Sequence, residues 1–88
     1  MSDDRVPIEV ASIWPAEADE EGIGEGVVVN WFVKEGRHVN EGGTLCEIQI
    51  EKVSIDVKAP TGGEIDEIAI GEDETVGRDD ILGWISPA

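Results

Sequence analysis

The feature that most constrains this chain is an internal repeat with an offset of 37 residues. Sliding the sequence against itself by that offset superposes six apolar pairs without a gap, and the residues between them are mostly polar in both copies. The pairs are Val28 with Ile65, Trp31 with Ile68, Val33 with Ile70, Val39 with Val76, Leu45 with Leu82, and Ile48 with Ile85. Since repeated units bury their apolar faces against each other, we interpret the chain as two interlocked copies of one β-meander around a shared core.

Short β-rich segments separated by glycines make up most of the sequence after residue 26. Helical periodicity is not sustained over three turns, whereas alternation of apolar and polar residues recurs. The predicted strands cover 27–34, 44–50, 53–59, 64–70 and 81–86, and a first short strand contains Ile8, Val10 and Ile13. The sequence therefore predicts an all-β fold.

The length of 88 residues leaves room for one small domain with a single core. We expect 1–88 to form that domain, with 1–6 as a mobile N-terminus, 16–26 as an acidic surface loop, and 86–88 as a tail or the start of a linker. Strand alternation and the repeat together predict a core made of Val28, Trp31, Val33, Val39, Leu45, Ile48, Ile55, Val57, Ile65, Ile68, Ile70, Val76, Leu82 and Ile85.

The charge of the chain limits its partners. Six lysines and arginines stand against 21 aspartates and glutamates, which gives a formal net charge of −15 at pH 7. Such a charge repels phosphate backbones and anionic lipids, so we expect neither nucleic acid nor a membrane surface as a partner. The acids are spread over the whole sequence, which we interpret as adaptation to concentrated salt in a halophilic source. A basic docking surface on a partner is the alternative.

One cysteine, Cys46, and one histidine, His38, limit the chemistry that the chain can perform. An intramolecular disulfide is impossible, a zinc site would lack thiolate and imidazole ligands, and no nucleophile motif accompanies the histidine. We therefore expect no catalytic site. Because we find neither a membrane-spanning apolar run nor a targeting leader, we predict a cytoplasmic protein.

The hairpin at 48–59 differs from the other connections, because its turn contains no glycine. Both arms alternate apolar and polar residues, and only Glu51 and Lys52 remain to connect them. Two-residue hairpin loops favour glycine, asparagine or aspartate because their central residues need positive φ. Neither residue adopts positive φ cheaply, so we predict a type I turn. Turn chemistry does not explain this pair, and we expect a functional site here.

Lys52 is the lysine best placed for modification. The chain has three lysines, and Lys34 and Lys58 fit solvent-facing strand ends. Lys52 is predicted to project from the tip of a tight hairpin, where a modifying enzyme can reach its amine. On the pattern alone, an unmodified surface lysine that balances nearby acids is an equal alternative.

Five short motifs follow one another along nearly the whole chain. They are GEGVVVNWFVKEG at 24–36, Val39 with Gly42 and Leu45, EIQIEKV at 47–53, Ala59 and Pro60 with Gly63, and VGRDDILGWI at 76–85. In this order and spacing they resemble the lipoyl/biotinyl carrier domains. The resemblance implies a flattened β-barrel of two quasi-symmetric four-stranded halves. It also implies that the ε-amine of Lys52 is acylated by lipoyl or biotinyl.

The residues that flank the lysine distinguish the two cofactors within the family. Biotinyl domains typically present methionine on both sides of the lysine, whereas lipoyl domains typically present Asp-Lys-Ala or a close variant. Glu51 and Val53 resemble the lipoyl type and are the expected recognition flanks. The resemblance thus favours covalent lipoate at Lys52, with biotin as the alternative.

The resemblance implies a swinging-arm carrier in a 2-oxo acid dehydrogenase complex. The expected partners are a lipoate ligase or lipoyltransferase and the decarboxylase, acyltransferase and dihydrolipoyl dehydrogenase components. The alternatives are a biotin carboxyl carrier that serves a carboxylase and an unmodified barrel-sandwich adaptor. The segment 16–26 is expected to be a solvated surface, and contact with partner enzymes is the alternative.

The remaining aromatic and reactive residues have structural interpretations. Trp31 is predicted to lie in the core, and Trp84 on the outer face or near the barrel end. Trp14 is expected to anchor the neighbouring loop, with an exposed contact as the alternative. We expect Cys46 to be a small buried thiol and His38 to be solvated.

Overall fold

The computed structural model describes residues 4–87. Within this range the chain forms eight strands, one 3₁₀ turn at Ala11–Ile13 and one short helix, α1 (Ala16–Glu20). The strands are β1 (Val6–Glu9), β2 (Glu25–Trp31), β3 (His38–Val39), β4 (Thr44–Ile50), β5 (Val53–Lys58), β6 (Gly63–Ile68), β7 (Thr75–Gly77) and β8 (Ile81–Pro87).

The strands form two four-stranded sheets, with the orders β1-β8-β6-β3 and β5-β4-β2-β7. The offset of 37 residues carries β2 onto β6, β3 onto β7 and β4 onto β8. The copies interlock because β3 pairs with β6 of the second copy, while β7 pairs with β2 of the first. The sheets do not close into one barrel but form a flattened barrel-sandwich, which confirms the predicted class of fold.

The shared core lies between the sheets and contains nine of the fourteen predicted residues as buried side chains. These nine are Val28, Val39, Leu45, Ile48, Val57, Ile65, Val76, Leu82 and Ile85. The other buried apolar residues are Ile8, Val10, Trp14, Ala18, Cys46, Ile50 and Ala59.

Five predicted core residues are only partly buried and pack against the core from its margins: Trp31, Val33, Ile55, Ile68 and Ile70. Four of them form two repeat pairs at or just beyond the ends of β2 and β6, where a side chain is covered on fewer sides. The side chain of Trp31 is only partly buried, and its Nε1 donates a hydrogen bond to the carbonyl of Ile70 at 2.8 Å. The prediction that Trp31 belongs to the core is therefore correct only in part.

The repeat extends to the backbone. Gly26 and Gly63 are 37 residues apart, and each passes against a carbonyl of the neighbouring strand. A Cβ at Gly26 would lie 2.7 Å from the Gln49 oxygen, and one at Gly63 would collide with the equivalent oxygen of Ser86. Only glycine fits this close approach in either half.

The predicted loop at 16–26 contains a helix, so that prediction is wrong for 16–20. The segment has good helix formers, but a helix of five residues cannot show the periodicity that a sequence search requires. The helix is held to the domain by Ala18, which is buried, and by a hydrogen bond from the Ile23 amide to the Ala18 carbonyl at 2.8 Å.

Trp14 anchors the connection between β1 and β2, which contains α1. Its side chain is buried, and its Nε1 donates to the carbonyl of Ile23 at 3.0 Å. The expected anchoring role is confirmed, and the alternative of an exposed contact is wrong, because the side chain is only 7% exposed.

The expected boundaries also shift at both ends. Val6 belongs to β1, and Ser86 and Pro87 belong to β8, so these residues are neither a mobile terminus nor a tail. The reason is pairing: Val6 lies opposite Ile85, and Pro87 lies opposite Gly63. The parts of those predictions that concern residues 1–3 and 88 fall outside the described residues.

Candidate functional site

The candidate site lies at the tip of the hairpin formed by β4 and β5. Ile50 pairs with Val53, and Gln49 pairs with Ser54. This register leaves only Glu51 and Lys52 in the loop, and both are exposed. The predicted two-residue connection at this point is confirmed.

The conformation of the turn differs from the prediction. Glu51 has a φ of 56°, in the left-handed region, so the turn is not type I, which needs negative φ at both central residues. A two-residue loop must match the right-handed twist of its strands, and the turns that do so have positive φ in the loop. The twist of the paired strands therefore imposes a positive φ on Glu51, although residues with a Cβ generally prefer a negative φ.

A side-chain contact supports this unusual turn. The Nε2 of Gln49 donates a hydrogen bond to the carbonyl oxygen of Glu51 at 3.2 Å. The bond connects the last paired part of β4 to the peptide that precedes Lys52. Gln49 thus helps to orient the tip, a role that its exposed position in an alternating strand did not indicate.

The amine of Lys52 is accessible. Within residues 4–87 its Nζ has neither an ion pair nor a hydrogen bond, although acids surround it. The alternative in which Lys52 balances a nearby acid therefore has no contact to support it. By contrast, Lys58 is engaged, since its Nζ donates to Thr44 Oγ1 at 3.0 Å.

A cleft of about 210 Å³ adjoins the lysine, between α1 and the hairpin. Its lining residues are Pro15, Glu17, Ala18, Glu21, Ile23, Ile50, Glu51, Lys52 and Val53. Val53 contributes an apolar surface that is 42% exposed. No sequence pattern indicates this arrangement, because α1 and the hairpin are remote in sequence and meet only through the fold.

An ion pair fixes the position of α1 next to the hairpin. Arg78 Nε lies 2.9 Å from Asp19 Oδ1, and the amide of Arg78 donates to the carbonyl of Gly24 at 3.2 Å. The long connection between β1 and β2 is therefore held at both the helix and the start of β2. Glu51 and Val53 therefore lie beside a surface that carries Glu17 and Glu21.

The other residues singled out in the sequence lie away from this site. Cys46 is buried, and burial raises the pKa of its thiol to about 12, so the thiol is not poised for reaction. His38 is exposed, as expected, with its Nε2 3.2 Å from Asn40 Oδ1. Trp84 is half-buried, and the Arg5 guanidinium lies 4.7 Å from its ring centre, which agrees with the outer-face prediction.

Two further findings concern residues 4–87 as a whole. They contain no group of three or more His, Cys, Asp or Glu side chains that could hold a metal ion. None of their helices has the length and apolar character needed to cross a membrane.

Comparison with known families settles the relationship of the chain. The model of the biotin/lipoyl family, described as biotin-requiring enzyme, matches residues 18–85. The chain belongs to the biotin/lipoyl family. Within it, the chain is similar to the lipoyl domain of the 2-oxoglutarate dehydrogenase complex from Azotobacter vinelandii, with 31% identity, a TM-score of 0.67, and coverage of 76% of this chain and 85% of that domain.

Two relatives by sequence are components of pyruvate dehydrogenase complexes. The chain is 38% identical over 52 residues to the dihydrolipoyllysine-residue acetyltransferase component of the pyruvate dehydrogenase complex from Staphylococcus aureus (strain Mu50 / ATCC 700699). It is 36% identical over 52 residues to the same component from Staphylococcus epidermidis. Each match covers 59% of this chain but only 12% of the length of the relative.

Part of a carboxylase shares the fold. The chain superposes on part of a single-chain, multi-domain long-chain acyl-CoA carboxylase with a TM-score of 0.68 and 21% identity, over 75% of this chain and 6% of that protein. At this identity the likeness concerns the fold only. Both the identity and the named domain of the Azotobacter structure place this member of the family with the lipoyl domains.

Proposed function

We propose that this lipoyl-type domain is a swinging-arm carrier with lipoate attached to Lys52. One observation carries the proposal: the only two unpaired residues of the hairpin are Glu51 and Lys52, and the Lys52 amine is exposed and unengaged within the described residues. Attachment would use ATP: the lipoate carboxylate is first joined to AMP with release of pyrophosphate, and Nζ of the neutral amine then attacks the acyl carbon. The acyl–phosphate C–O bond breaks, AMP leaves, and the nitrogen loses one proton as the amide bond forms. An exposed apex gives a ligase access to the amine without any change in the fold.

The residues next to the lysine would set its presentation. The bond from Gln49 to the Glu51 carbonyl restrains the peptide before the lysine, and β5 begins directly after it. Glu51 and Val53 would be the flanks that a ligase reads. Neither is a methionine, and this supports lipoate over biotin.

The bound lipoyl group would supply a dithiolane that accepts acyl groups and electrons. The domain would contribute position alone. A rigid hairpin base and a free tip keep the arm available to several enzymes in turn, which raises its effective concentration at each of their sites. We propose no catalytic site in this chain.

The named relatives support a place in a 2-oxo acid dehydrogenase complex. They are components of pyruvate and 2-oxoglutarate dehydrogenase complexes. The proposed partners are a lipoate ligase or lipoyltransferase, followed by the decarboxylase, acyltransferase and dihydrolipoyl dehydrogenase components. We propose a cytoplasmic location, with neither nucleic acid nor membrane as a partner.

The surface supports a further proposal of adaptation to concentrated salt. Among the described residues no charged or polar residue is buried, so their acids lie at the surface of a chain with a formal net charge of −15. Salt screens repulsion among such charges.

Modification assays distinguish the cofactors. The domain is incubated in parallel with lipoate ligase, lipoate and ATP, and with biotin ligase, biotin and ATP, and intact mass is recorded. We expect one lipoyl group per chain and little biotin. The double variant Glu51→Met with Val53→Met should shift the ratio toward biotin. Efficient biotinylation of the native chain without lipoylation would contradict the choice of cofactor, and no modification by either ligase would favour an unmodified adaptor.

A further inference from the structure

The connection between β2 and β3 carries two positive charges without partners. Of the six lysines and arginines in the chain, Arg5 and Arg78 form ion pairs with acids. Within residues 4–87, the side chains of Lys34 and Arg37 have neither an ion pair nor a hydrogen bond. Lys52 is also without a partner in the described residues, but it lies alone at the hairpin tip, whereas Lys34 and Arg37 lie three residues apart in one connection.

The one acid in this connection is directed elsewhere. The Glu35 carboxylate accepts a hydrogen bond from the Ile68 amide at 2.8 Å, which ties it to the end of β6. Two further bonds hold the backbone, from the Gly36 amide to the Ile65 carbonyl at 2.7 Å and from the Ile65 amide to the Arg37 carbonyl at 2.9 Å. The cations are thus displayed from a connection that is fixed to β6.

These cations line a cleft that also has an exposed aromatic wall. The cleft has a volume of about 290 Å³, and its lining residues are Phe32, Val33, Lys34, Arg37 and His38. Phe32 is 55% exposed, the most open of the large apolar side chains in the described residues. No carboxylate belongs to the lining. We call this the basic-aromatic cleft.

The basic-aromatic cleft is remote from Lys52. The Phe32 amide donates to the Leu45 carbonyl at 2.8 Å, near the start of β4, whereas Lys52 follows the end of that strand. At about 3.3 Å per residue, roughly 20 Å of strand separate them. The cleft by Lys52 has an acidic rim, so the two clefts also differ in charge.

We propose that the basic-aromatic cleft docks a segment of a partner protein in which an apolar side chain is flanked by carboxylates. The two cations match the carboxylates, and Arg37 can bind one of them with two parallel hydrogen bonds. The apolar side chain covers Phe32 and Val33, which an inorganic anion would leave in water. An open, shallow cleft suits an extended segment that needs no deep pocket.

The position of this cleft gives docking a use. A segment bound there would hold the domain while the hairpin tip remains free, because the two sites do not share a residue. The inference concerns the unmodified domain and does not depend on which cofactor is attached to Lys52.

The test uses the ¹⁵N-labelled domain and the peptide acetyl-Glu-Asp-Leu-Phe-Asp-Glu-amide in about 0.15 M salt, where screening beyond ~8 Å limits repulsion by distant acids. We expect amide shifts concentrated at 32–38, with little change at 50–53. The variants Phe32→Ser and Lys34→Gln with Arg37→Gln should each weaken binding by about fivefold or more. Lys58→Gln removes an exposed cation elsewhere and should leave the affinity unchanged.

Four results would overturn the proposal. The first is an absence of shifts at millimolar peptide, and the second is binding that the cleft variants do not weaken. The third is equal affinity for a control peptide with serine in place of Leu-Phe, which would show anion binding without apolar docking. The fourth is self-association of the domain through Phe32 that the peptide cannot compete away, which would make a second copy the occupant.

Discussion

The two ends of the molecule are built from the same repeat but differ in what joins the strands. At one end β4 continues through Glu51 and Lys52 into β5. At the other end β8, the counterpart of β4, pairs with β1, which comes from the beginning of the chain and is not joined to it by a turn. Both ends therefore have the same strand framework. The exposed lysine occurs only at the end where the chain turns from the first copy of the repeat into the second.

The connections that follow the equivalent strands β1 and β5 differ in the same way. Residues 59–62 suffice to join β5 to β6, whereas residues 10–24 join β1 to β2 and contain α1. The extra length lies beside the lysine tip, where α1 and the hairpin share a cleft. The frame is therefore symmetric, whereas the surroundings of the lysine are not.

The largest expected effect tests whether the two copies share one core. Ile48 and Ile85 are repeat partners and both are fully buried, so Ile48→Ala and Ile85→Ala should each lower the free energy of unfolding by about 2–5 kcal/mol. Ile68→Ala should cost less because Ile68 is only partly buried. Urea denaturation measures all three.

Phe32→Ala serves as the control for the core variants, since this exposed side chain should contribute less than about 0.5 kcal/mol. If one of Ile48→Ala and Ile85→Ala greatly lowered the free energy of unfolding and the other did not, the two copies would not share one core.

The salt dependence of the melting temperature tests the effect of the surface acids, which occur at both ends of the molecule. Raising salt from low to molar concentration should raise the melting temperature by roughly 5–10 °C, because screening weakens repulsion among the surface acids. The double variant Glu20→Gln with Glu41→Gln should melt higher in dilute buffer and gain less from salt. A flat midpoint across the range would make the halophilic interpretation wrong while leaving the carrier proposal intact.

The pH dependence of stability tests a position where the copies differ. Cys46 is buried in β4, while its repeat partner Gly83 has no side chain. Burial raises the thiol pKa from 9.0 to about 12, so above pH 9 the unfolded chain loses this proton while the folded chain keeps it. The stabilising contribution is complete below pH 9 and is lost as the pH rises toward 12.

The expected slope from Cys46 is a loss of about 1.4 kcal/mol per pH unit in that range. Cys46→Ala should therefore lose less stability than the native domain between pH 9 and 11, as denaturation at several pH values would show. Parallel losses in the two proteins would contradict the inferred burial of the thiol.

The smallest expected effect concerns the backbone of the turn. Glu51 has a positive φ, which asparagine adopts more readily than other residues with a Cβ, so Glu51→Asn should stabilise the domain by about 0.5 kcal/mol. Glu51→Ala, which lacks that preference, should give no gain. If both variants have the same melting temperature, the positive φ of Glu51 does not destabilise the native turn as we expect.

The sequence predicted the frame better than the surroundings of the lysine, for a physical reason. The repeat and strand alternation are local patterns, and they located the hairpin and most of the buried core, including Val28 and Ile65. The helix α1 is only five residues long and is held by contacts between distant segments, such as that of Arg78 with Asp19. Such contacts leave no periodic signal.

The turn was mispredicted for a related reason. The local preferences of Glu51 indicated negative φ, but the twist of β4 and β5 and the bond from Gln49 determine its conformation. The clefts also depend on tertiary contacts. Only the fold shows that the Glu35 carboxylate accepts a hydrogen bond from the Ile68 amide, while Lys34 and Arg37 have no partner among the described residues.

We propose that presentation at the hairpin tip selects Lys52 for modification. The most direct measurement is intact mass and peptide mapping of Lys52→Arg after reaction with lipoate ligase, with Lys58→Arg as the matched control. Arginine keeps the charge of the exposed side chain but is no substitute for a primary amine. We predict that Lys52→Arg folds with unchanged melting and carries no lipoyl group, while Lys58→Arg is lipoylated like the native domain. Lipoylation of Lys52→Arg at Lys34 or Lys58 would contradict the account.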